Sequence, residues 1–306
     1  MLRSLRKKYA PWWQLYVFLL IPVVYLIIFK YVPMGGLQIA FKKYKLAKGI
    51  WGSEWVGMKN FMKFFNSYQF TRVITNTLTI SFYSLFVGFP FPILFALLLN
   101  SVENERLKKT VQTVTYMPHF ISTVVLVGMI IKVFNPNYGI YGQLAKLLTG
   151  QVPRDLLATG AGFTHLYVWS GIWQNFGWDS IMYLAALTAV DPALHEAAQI
   201  DGASRLQRIR HIDIPAILPT VTIMLIMRAG SIMSVGFEKV YLMQNDLNLA
   251  ASEIISTYEY KRGLASGGAS DFSLSTAIGL FNSSINLLLL VIVNYISGKV
   301  SENSLW

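Results

Sequence analysis

The stretch WWQLYVFLLIPVVYLIIFKYV occupies residues 12–32 and decides the fold class. It is almost entirely apolar, and a helix of about 20 such residues is long enough to cross the hydrocarbon core of a bilayer. Four basic residues precede it: Arg3, Arg6, Lys7 and Lys8. A signal peptide also begins with positive charge, but this run is too long and lacks a small-x-small cleavage site. We therefore interpret it as a retained membrane span.

The composition of the whole chain is that of a membrane protein. Of the 306 residues, 54% are hydrophobic and 13% are charged, and the mean hydropathy is +0.46. A soluble domain carries about 25% charged residues, so an ordinary cytosolic protein is excluded. The net charge of +11 does not indicate nucleic-acid binding, because the basic residues fall mostly between apolar runs, where anionic lipid headgroups are available. The chain has no cysteine, and we predict no metal site.

Six apolar windows predict an all-α integral membrane protein with a single transmembrane permease domain, residues 1–306. Helices are expected because backbone groups in lipid must bond within their own segment. Pro90 and Pro92 predict a bend in the second span. The spans are predicted at about 12–32, 77–99, 117–134, 163–190, 216–237 and 272–296.

Six spans place both termini on the same side of the membrane. With the N-terminus inside, the cytoplasmic segments hold 11 Lys and Arg residues and the external segments hold 12, so this tally does not decide the orientation. The basic residues ahead of the first span favour a cytoplasmic N-terminus, because that region usually dominates orientation.

The loop between the fourth and fifth spans, residues 191–215, reads DPALHEAAQIDGASRLQRIRHIDIP. Asp191 as the N-cap and Pro192 at the first helical position predict a short helix. Gly202 can end that helix in a left-handed conformation that strains other residues, and a second short helix is predicted after Ser204. An interfacial amphipathic hairpin, whose arginines contact lipid phosphate, is the alternative interpretation.

This loop resembles the signature of the membrane subunits of ATP-binding-cassette importers: Glu-Ala-Ala, three residues, Gly, nine residues, then Ile-x-Leu-Pro. The chain matches it with Glu196-Ala197-Ala198, Gly202, Ile212 and Pro215, and Ile214 stands where Leu is usual. Asp201-Gly202-Ala203 is similar to the form found in carbohydrate permeases. Residues 55–61, 76–77 and 183–187 resemble the maltose-type branch, and residues 30–36 and 236–243 resemble polysaccharide or aldouronate-type permeases within it.

The resemblance implies a type I importer permease fold in a bacterial plasma membrane, with the 191–215 loop and both termini cytoplasmic. The loop would then be a coupling helix that docks on an ATPase subunit. The coupling residues implied are Glu196, Ala197, Ala198, Asp201, Gly202, Ala203, Arg205 and Pro215.

The same resemblance implies the partners. They are a second homologous permease chain, forming a heterodimer, two copies of an ATPase, and an extracellular sugar-binding lipoprotein that docks on segments 33–76 and 238–271. ATP and Mg would be used by the partner ATPase, with no cofactor bound by this chain. The sequence itself has no Gly-x-x-x-x-Gly-Lys-Ser/Thr phosphate loop, no His-Glu-x-x-His and no Gly-x-Ser-x-Gly, so we predict that it is not an enzyme.

Polar residues inside the spans are candidates for a sugar pathway, because they are costly in lipid and usually face a protein interior or a watery cavity. Amides and carboxylates bind hydroxyl groups, and aromatic rings stack on pyranose faces. Helix-to-helix packing is the alternative role for such residues. The candidates are Tyr83, Gln174, Asn175, Trp178, Asp179, Ser231, Glu238, Asn282 and Asn286.

These features together predict the permease subunit of an ATP-driven importer of a carbohydrate, specifically an oligosaccharide. Three alternatives stay open: an ion-coupled secondary transporter, a non-transporting membrane scaffold or sensor, and an importer of a solute other than sugar. A secondary transporter would call for broken helices in two corresponding halves, and no internal repeat relates the two halves of the sequence.

Overall fold

The computed structural model describes residues 12–265, 267 and 270–300, and most of these residues are helical. The basic residues ahead of the first span and the C-terminal residues 301–306 lie outside the described residues. The first part of the chain contains α1 (Trp13–Leu26), α2 (Val32–Met34), β1 (Lys42–Lys43), α3 (Gly49–Gly52), β2 (Glu54–Trp55) and α4 (Lys59–Phe65).

The remaining helices follow with short connections. The middle of the chain contains α5 (Gln69–Gly88), α6 (Pro90–Asn100), α7 (Glu105–Tyr116), α8 (Thr123–Val133), α9 (Ile140–Thr149), α10 (Gly160–Thr188), α11 (Pro192–Ile200) and α12 (Arg205–Arg208). The last part contains α13 (Ile214–Gly230), α14 (Phe237–Met243), α15 (Leu249–Ser252), α16 (Ile255–Tyr260) and α17 (Phe272–Val300). Turns of 3-10 helix lie at Gly35–Phe41, Leu46–Lys48 and Met117–Phe120, and π-helical turns lie at Ile27–Tyr31, Ile209–Asp213 and Lys261–Ala265.

The chain packs as two compact units. One comprises Met1–Asn66 with Glu259–Leu280, and the other comprises Ser67–Tyr258 with Phe281–Trp306. The predicted single transmembrane domain stays a prediction.

The first unit is organised around the antiparallel pair of β1 and β2. The ring of Phe41 stacks on Trp55 with centroids 5.5 Å apart. The Asn60 amide of α4 donates hydrogen bonds to the backbone carbonyls of Ala40 and Lys42. Helix α4 buries Phe61 and Phe64, and so ties the aromatic residues of this segment into a small core.

Helix α10 is the central element of the second unit. It begins at a Thr159 cap, whose hydroxyl accepts the Gly162 amide at 3.2 Å. At Gly177 the backbone of α7 passes so close that an added Cβ would clash with the Thr115 carbonyl. Two apolar clusters cover its ends, one around Phe163 and one around Tyr183. Between these clusters, Gln174 donates to the Ile121 carbonyl and Asp179 pairs with Arg228, so these two polar residues join α10 to neighbouring segments of the same unit.

Four helical segments of the described residues are long and apolar enough to cross a membrane, and a bent pair makes five if it is one span. They coincide, with shifted ends, with the predicted first, second, fifth and sixth spans. The four segments are Trp13–Phe41, Gln69–Asn100, Arg205–Gly230 and Phe272–Lys299. In the second span the helix is interrupted at Phe89, and both prolines lie at the start of α6, where a missing N–H costs little.

The predicted third span, 117–134, is not one continuous helix. Residues Glu105–Phe120 and Thr123–Val133 meet at 97°, and Ser122 caps α8 by accepting the Val125 amide. At 11 residues, α8 is shorter than a full span.

The predicted fourth span, 163–190, is a continuous helix in the structure, α10, but it does not reach the hydropathy of a span. Its amides and the charged Asp179 lower the value. Its passage through the membrane stays a prediction.

Candidate functional site

The 191–215 loop folds as its sequence predicts. The Asp191 carboxylate accepts the Ala193 amide at 2.9 Å and so caps α11. At the other end Gly202 has a φ of 78°, and the Ala203 amide donates to the Ala198 carbonyl at 2.9 Å. This is the hydrogen-bond pattern of a glycine-terminated helix. The reversal after α11 therefore depends on a conformation that glycine adopts without strain.

The second half of the loop is held by a capping box. The Ser204 hydroxyl accepts the Gln207 amide, and the Gln207 side chain accepts the Ser204 amide. Helix α12 is only four residues long, and the π-helical turn Ile209–Asp213 carries the chain directly into α13. The second half of the loop, from Arg205, and the following span are thus one continuous helical path, with Pro215 in the first turn of α13.

The loop presents exposed apolar side chains at its turn. Ile200 is 86% exposed and Leu206 is 74% exposed, and Leu194 is also exposed. Glu196 and Ala197 are exposed beside them, whereas Ala198 is half-buried. Apolar side chains grouped at such a capped turn are typical of a docking surface.

Polar contacts hold the loop against the end of α6 and the start of α13. Arg205 forms an exposed ion pair with Glu103, which follows α6. The His195 imidazole lies 3.3 Å from the buried carboxylate of Asp213. These four residues line a cavity of about 220 Å³ beneath the loop, together with Asn100, Ser101, Arg208 and Ile209.

A second, larger cavity lies between α5, α10, α13 and α14. Its volume is about 350 Å³, within the range of small-ligand pockets. Its wall combines small, polar and charged residues. They are Ser84, Gly88, Tyr167, Val168, Gly171, Ile172, Gln174, Asn175, Phe176, Asp179, Arg228 and Lys239.

The positive charges of this cavity outnumber its negative charges. Arg228 forms an ion pair with Asp179. Lys239 is 9% exposed, and its Nζ donates to the Tyr167 carbonyl at 2.9 Å. Lys239 belongs to α14, outside the four candidate spans, and burial lowers the pKa of its ammonium group to about 8.

The structure brings some of the predicted pathway residues together. Gln174, Asn175 and Asp179 line the 350 Å³ cavity. Ser231 lines an adjoining cavity of about 170 Å³, which shares Ser84, Tyr167 and Arg228 with the larger one. Trp178 lines a third cavity of about 330 Å³ with Asp179, and its ring stacks on His119 at 4.5 Å.

Other predicted pathway residues have packing roles. Tyr83 on α5 contacts His165 Nδ1 at 2.7 Å and accepts a hydrogen bond from Trp169, which joins α5 to α10. The Asn286 amide accepts the Met233 backbone N–H and donates to the Ser234 hydroxyl.

The last two predicted residues line none of these three cavities. Glu238 is exposed. The Asn282 Oδ1 is buried with no hydrogen-bond partner among the described residues.

Lys239, Tyr167 and Gly171 also line the 350 Å³ cavity and were not among the predicted pathway residues. Lys239 contributed to the charge count of an external segment and lies in the 236–243 stretch that carries the resemblance, but neither feature gave it a pathway role, and Tyr167 had no signal of its own. Gly171 lies four residues before Asn175, so the two share a helical face, and this spacing was the available signal.

Comparison with known proteins gives consistent matches across the chain. Residues 88–302 match the family described as binding-protein-dependent transport system inner membrane component. The chain is 40% identical to the polygalacturonan/rhamnogalacturonan transport system permease protein YteP of Bacillus subtilis (strain 168), over 100% of this chain and 92% of that protein. It is 41% identical to protein LplB of the same organism, over 95% and 91% of the two chains.

A solved structure also matches. It is a chain of the bacterial alginate ABC transporter in complex with an alginate pentasaccharide-bound periplasmic protein. The TM-score is 0.89 and the identity is 38%, and the match covers 98% of this chain and 99% of the other.

Proposed function

Since the chain belongs to the family of binding-protein-dependent transport system inner membrane components, we propose that it is the permease subunit of an ATP-driven importer of an oligosaccharide. The relatives support a carbohydrate, because one is named for polygalacturonan and rhamnogalacturonan and a matching structure is an alginate transporter. The observation that carries the proposal is the capped, exposed 191–215 loop, which continues directly into α13.

In this function the loop receives force from an ATPase subunit. Exposed Ile200 and Leu206 offer apolar area to a cleft, and the small Ala197 lets that surface approach the α11 backbone closely. Glu196 and Asp201 supply polar contacts at the rim of the same surface. Because no break separates α12 from α13, a push on the loop moves α13 with it.

The partners follow from this role. We propose two copies of an ATPase, which bind and hydrolyse ATP with Mg, and a second homologous permease chain that forms a heterodimer with this one. The alginate transporter was solved with a periplasmic binding protein, which supports an extracellular sugar-binding lipoprotein as the donor of substrate. Both termini then lie in the cytoplasm of a bacterial cell.

The substrate path runs through the 350 Å³ cavity. Gln174 and Asn175 each use one amide N–H within the protein and offer the second N–H and their remaining acceptor capacity to sugar hydroxyl groups, and Tyr167 offers an aromatic ring. The adjoining cavity at Ser231 extends this polar surface along α13.

Reconstitution tests the function. The full complex of permease pair, ATPase and binding protein is placed in proteoliposomes, and uptake of labelled trigalacturonate is measured. We expect accumulation only with ATP and unchanged accumulation when an ionophore collapses ion gradients. Accumulation that persists without ATP and disappears with the ionophore would instead show a secondary transporter.

A further inference from the structure

Lys239 is a buried cation that points into the 350 Å³ cavity. Its Nζ donates to the Tyr167 carbonyl and lies 4.8 Å from the centroid of the Tyr167 ring. The ammonium group also lies beside Gly171, where an added Cβ would be 3.3 Å from Nζ. The bare face of α10 at this glycine leaves room for the ammonium group at the cavity wall.

The charge of Lys239 has no counter-ion within the chain as described. Among the described residues, Arg228 forms an ion pair with Asp179. No carboxylate of these residues lies within 4.0 Å of the Lys239 Nζ, whose hydrogen bond goes to a backbone carbonyl. Burying a cation without a counter-ion is unfavourable, and the single carbonyl and ring contacts compensate only part of that cost. A cavity with one excess positive charge favours an anionic ligand.

The surroundings of the ammonium group fit an acidic sugar better than a simple anion. Asn175 and Gln174 lie on the same wall. The Asn175 amide contacts His119 and donates to the Gly171 carbonyl, and the Gln174 amide donates to the Ile121 carbonyl, but each side chain keeps a second N–H and acceptor capacity for hydroxyl groups. A uronate unit carries a carboxylate and several hydroxyl groups on one pyranose ring. Its carboxylate can therefore bind the ammonium group while its hydroxyl groups bind the amides.

We propose that Lys239 binds a uronate carboxylate of the transported oligosaccharide and so makes the pathway selective for acidic saccharides. This inference rests on the proposed importer function and assigns its substrate class. Both polygalacturonan and alginate, for which the similar proteins are named, are polymers of uronates. Lys239 replaces the water that hydrates the carboxylate and also orients the sugar on the Tyr167 side of the cavity.

The test compares two trisaccharides on one complex. Binding of trigalacturonate and of its carboxyl-reduced, neutral counterpart is measured by calorimetry on the permease–ATPase complex in nanodiscs, without the binding protein. The acidic sugar should bind wild type about tenfold more tightly or better, as expected for a charge-assisted hydrogen bond. Equal affinities in wild type would overturn the proposal without any variant.

Lys239→Met and Lys239→Gln should bring the affinities for the acidic and the neutral trisaccharide within about twofold of each other. Both variants lack the positive charge that attracts the carboxylate, whereas the affinity for the neutral sugar should change little. Lys146→Gln, on α9, removes a charge outside the cavity and should keep the wild-type ratio. An unchanged ratio in both Lys239 variants would overturn the assignment. Failure of the importer function would show differently, as absent ATP-driven uptake of any saccharide by wild type.

Discussion

The Nε2 atom of His195 lies 3.3 Å from Oδ1 of Asp213, and this contact joins helix α11 to the π-helical turn that enters α13. Asp213 is 4% exposed, so its carboxylate is nearly removed from water. His195 immediately precedes Glu196, at the centre of the loop surface proposed to meet the ATPase. The contact therefore links the docking surface to the start of a span.

Removal of His195 should loosen this link. His195→Leu leaves the Asp213 carboxylate buried beside Arg208 alone, and we expect a loss of about 1–3 kcal/mol in stability. Thermal unfolding of the complex measures the loss of stability. The number of ATP molecules hydrolysed per sugar transported is measured on the same variant and should rise. The double variant His195→Leu with Asp213→Leu should recover part of the stability, because no buried charge remains. Strictly additive losses would contradict a direct interaction.

The left-handed conformation at Gly202 predicts a second result. Gly202→Asp should leave the protein inserted but should lower uptake about tenfold or more, equivalent to about 1.4 kcal/mol of lost coupling, while ATP hydrolysis continues. Uptake and ATPase activity are measured in the same proteoliposomes.

Gly150 supplies the matched control for that variant. It ends α9 with a φ of 74°, and an added Cβ meets open space there, as at Gly202. Gly150→Asp therefore introduces similar backbone strain away from the loop and should keep normal uptake. Normal uptake in Gly202→Asp, or an equal loss in both variants, would count against the coupling role.

The orientation of the chain is testable because it has no native cysteine. Leu206→Cys places a thiol at an exposed position of the loop, and Leu147→Cys places one at an exposed position of α9. In intact cells a membrane-impermeant maleimide should label Cys at 147 and not at 206. The reverse pattern would place the loop outside the cell.

The pKa of Lys239 predicts the pH dependence of substrate binding. Burial lowers this pKa to about 8, so the ammonium group is charged at pH 7 and loses its proton as the pH rises through about 8. The groups that share the cavity with it are Tyr167 and Asp179 on α10 and Arg228 on α13.

Affinity for trigalacturonate should therefore fall between pH 7 and pH 9.5. A bound carboxylate favours the charged lysine and shifts the midpoint upward. Calorimetric titrations across this range give the profile, and the carboxyl-reduced sugar serves as the control with a flat profile. A flat profile for the acidic sugar would contradict the role of Lys239.

Local signals in the sequence predicted the fold of the 191–215 loop well, and its coupling role stays a prediction. Asp191, Pro192 and Gly202 each act within a few residues of their own position, and the structure shows the cap, the helix and the left-handed turn where expected. The long apolar windows likewise located four spans, because hydropathy is a property of the segment itself. These features depend little on the rest of the chain.

Features that depend on tertiary packing were predicted less well. The 97° bend before α8 has only Pro118 and the Ser122 cap as local signals, and both lie inside the apolar window 117–134 that predicts one span. Tyr83 and Asn286 form hydrogen bonds with distant segments that the sequence does not reveal, and their place in a sugar pathway stays a prediction. Lys239 reaches the cavity only because α14 packs beside Tyr167.

The most direct test of the account is cross-linking of the loop to the ATPase. Ile200→Cys is paired with single cysteines in the cleft of the ATPase subunit, and Leu147→Cys on α9 is the control. We expect Cys at 200 to cross-link to the ATPase in the assembled complex and the cross-link to block ATP-driven uptake, whereas Cys at 147 should not cross-link. A complex that is active and fully assembled but gives no cross-link at 200 would contradict it.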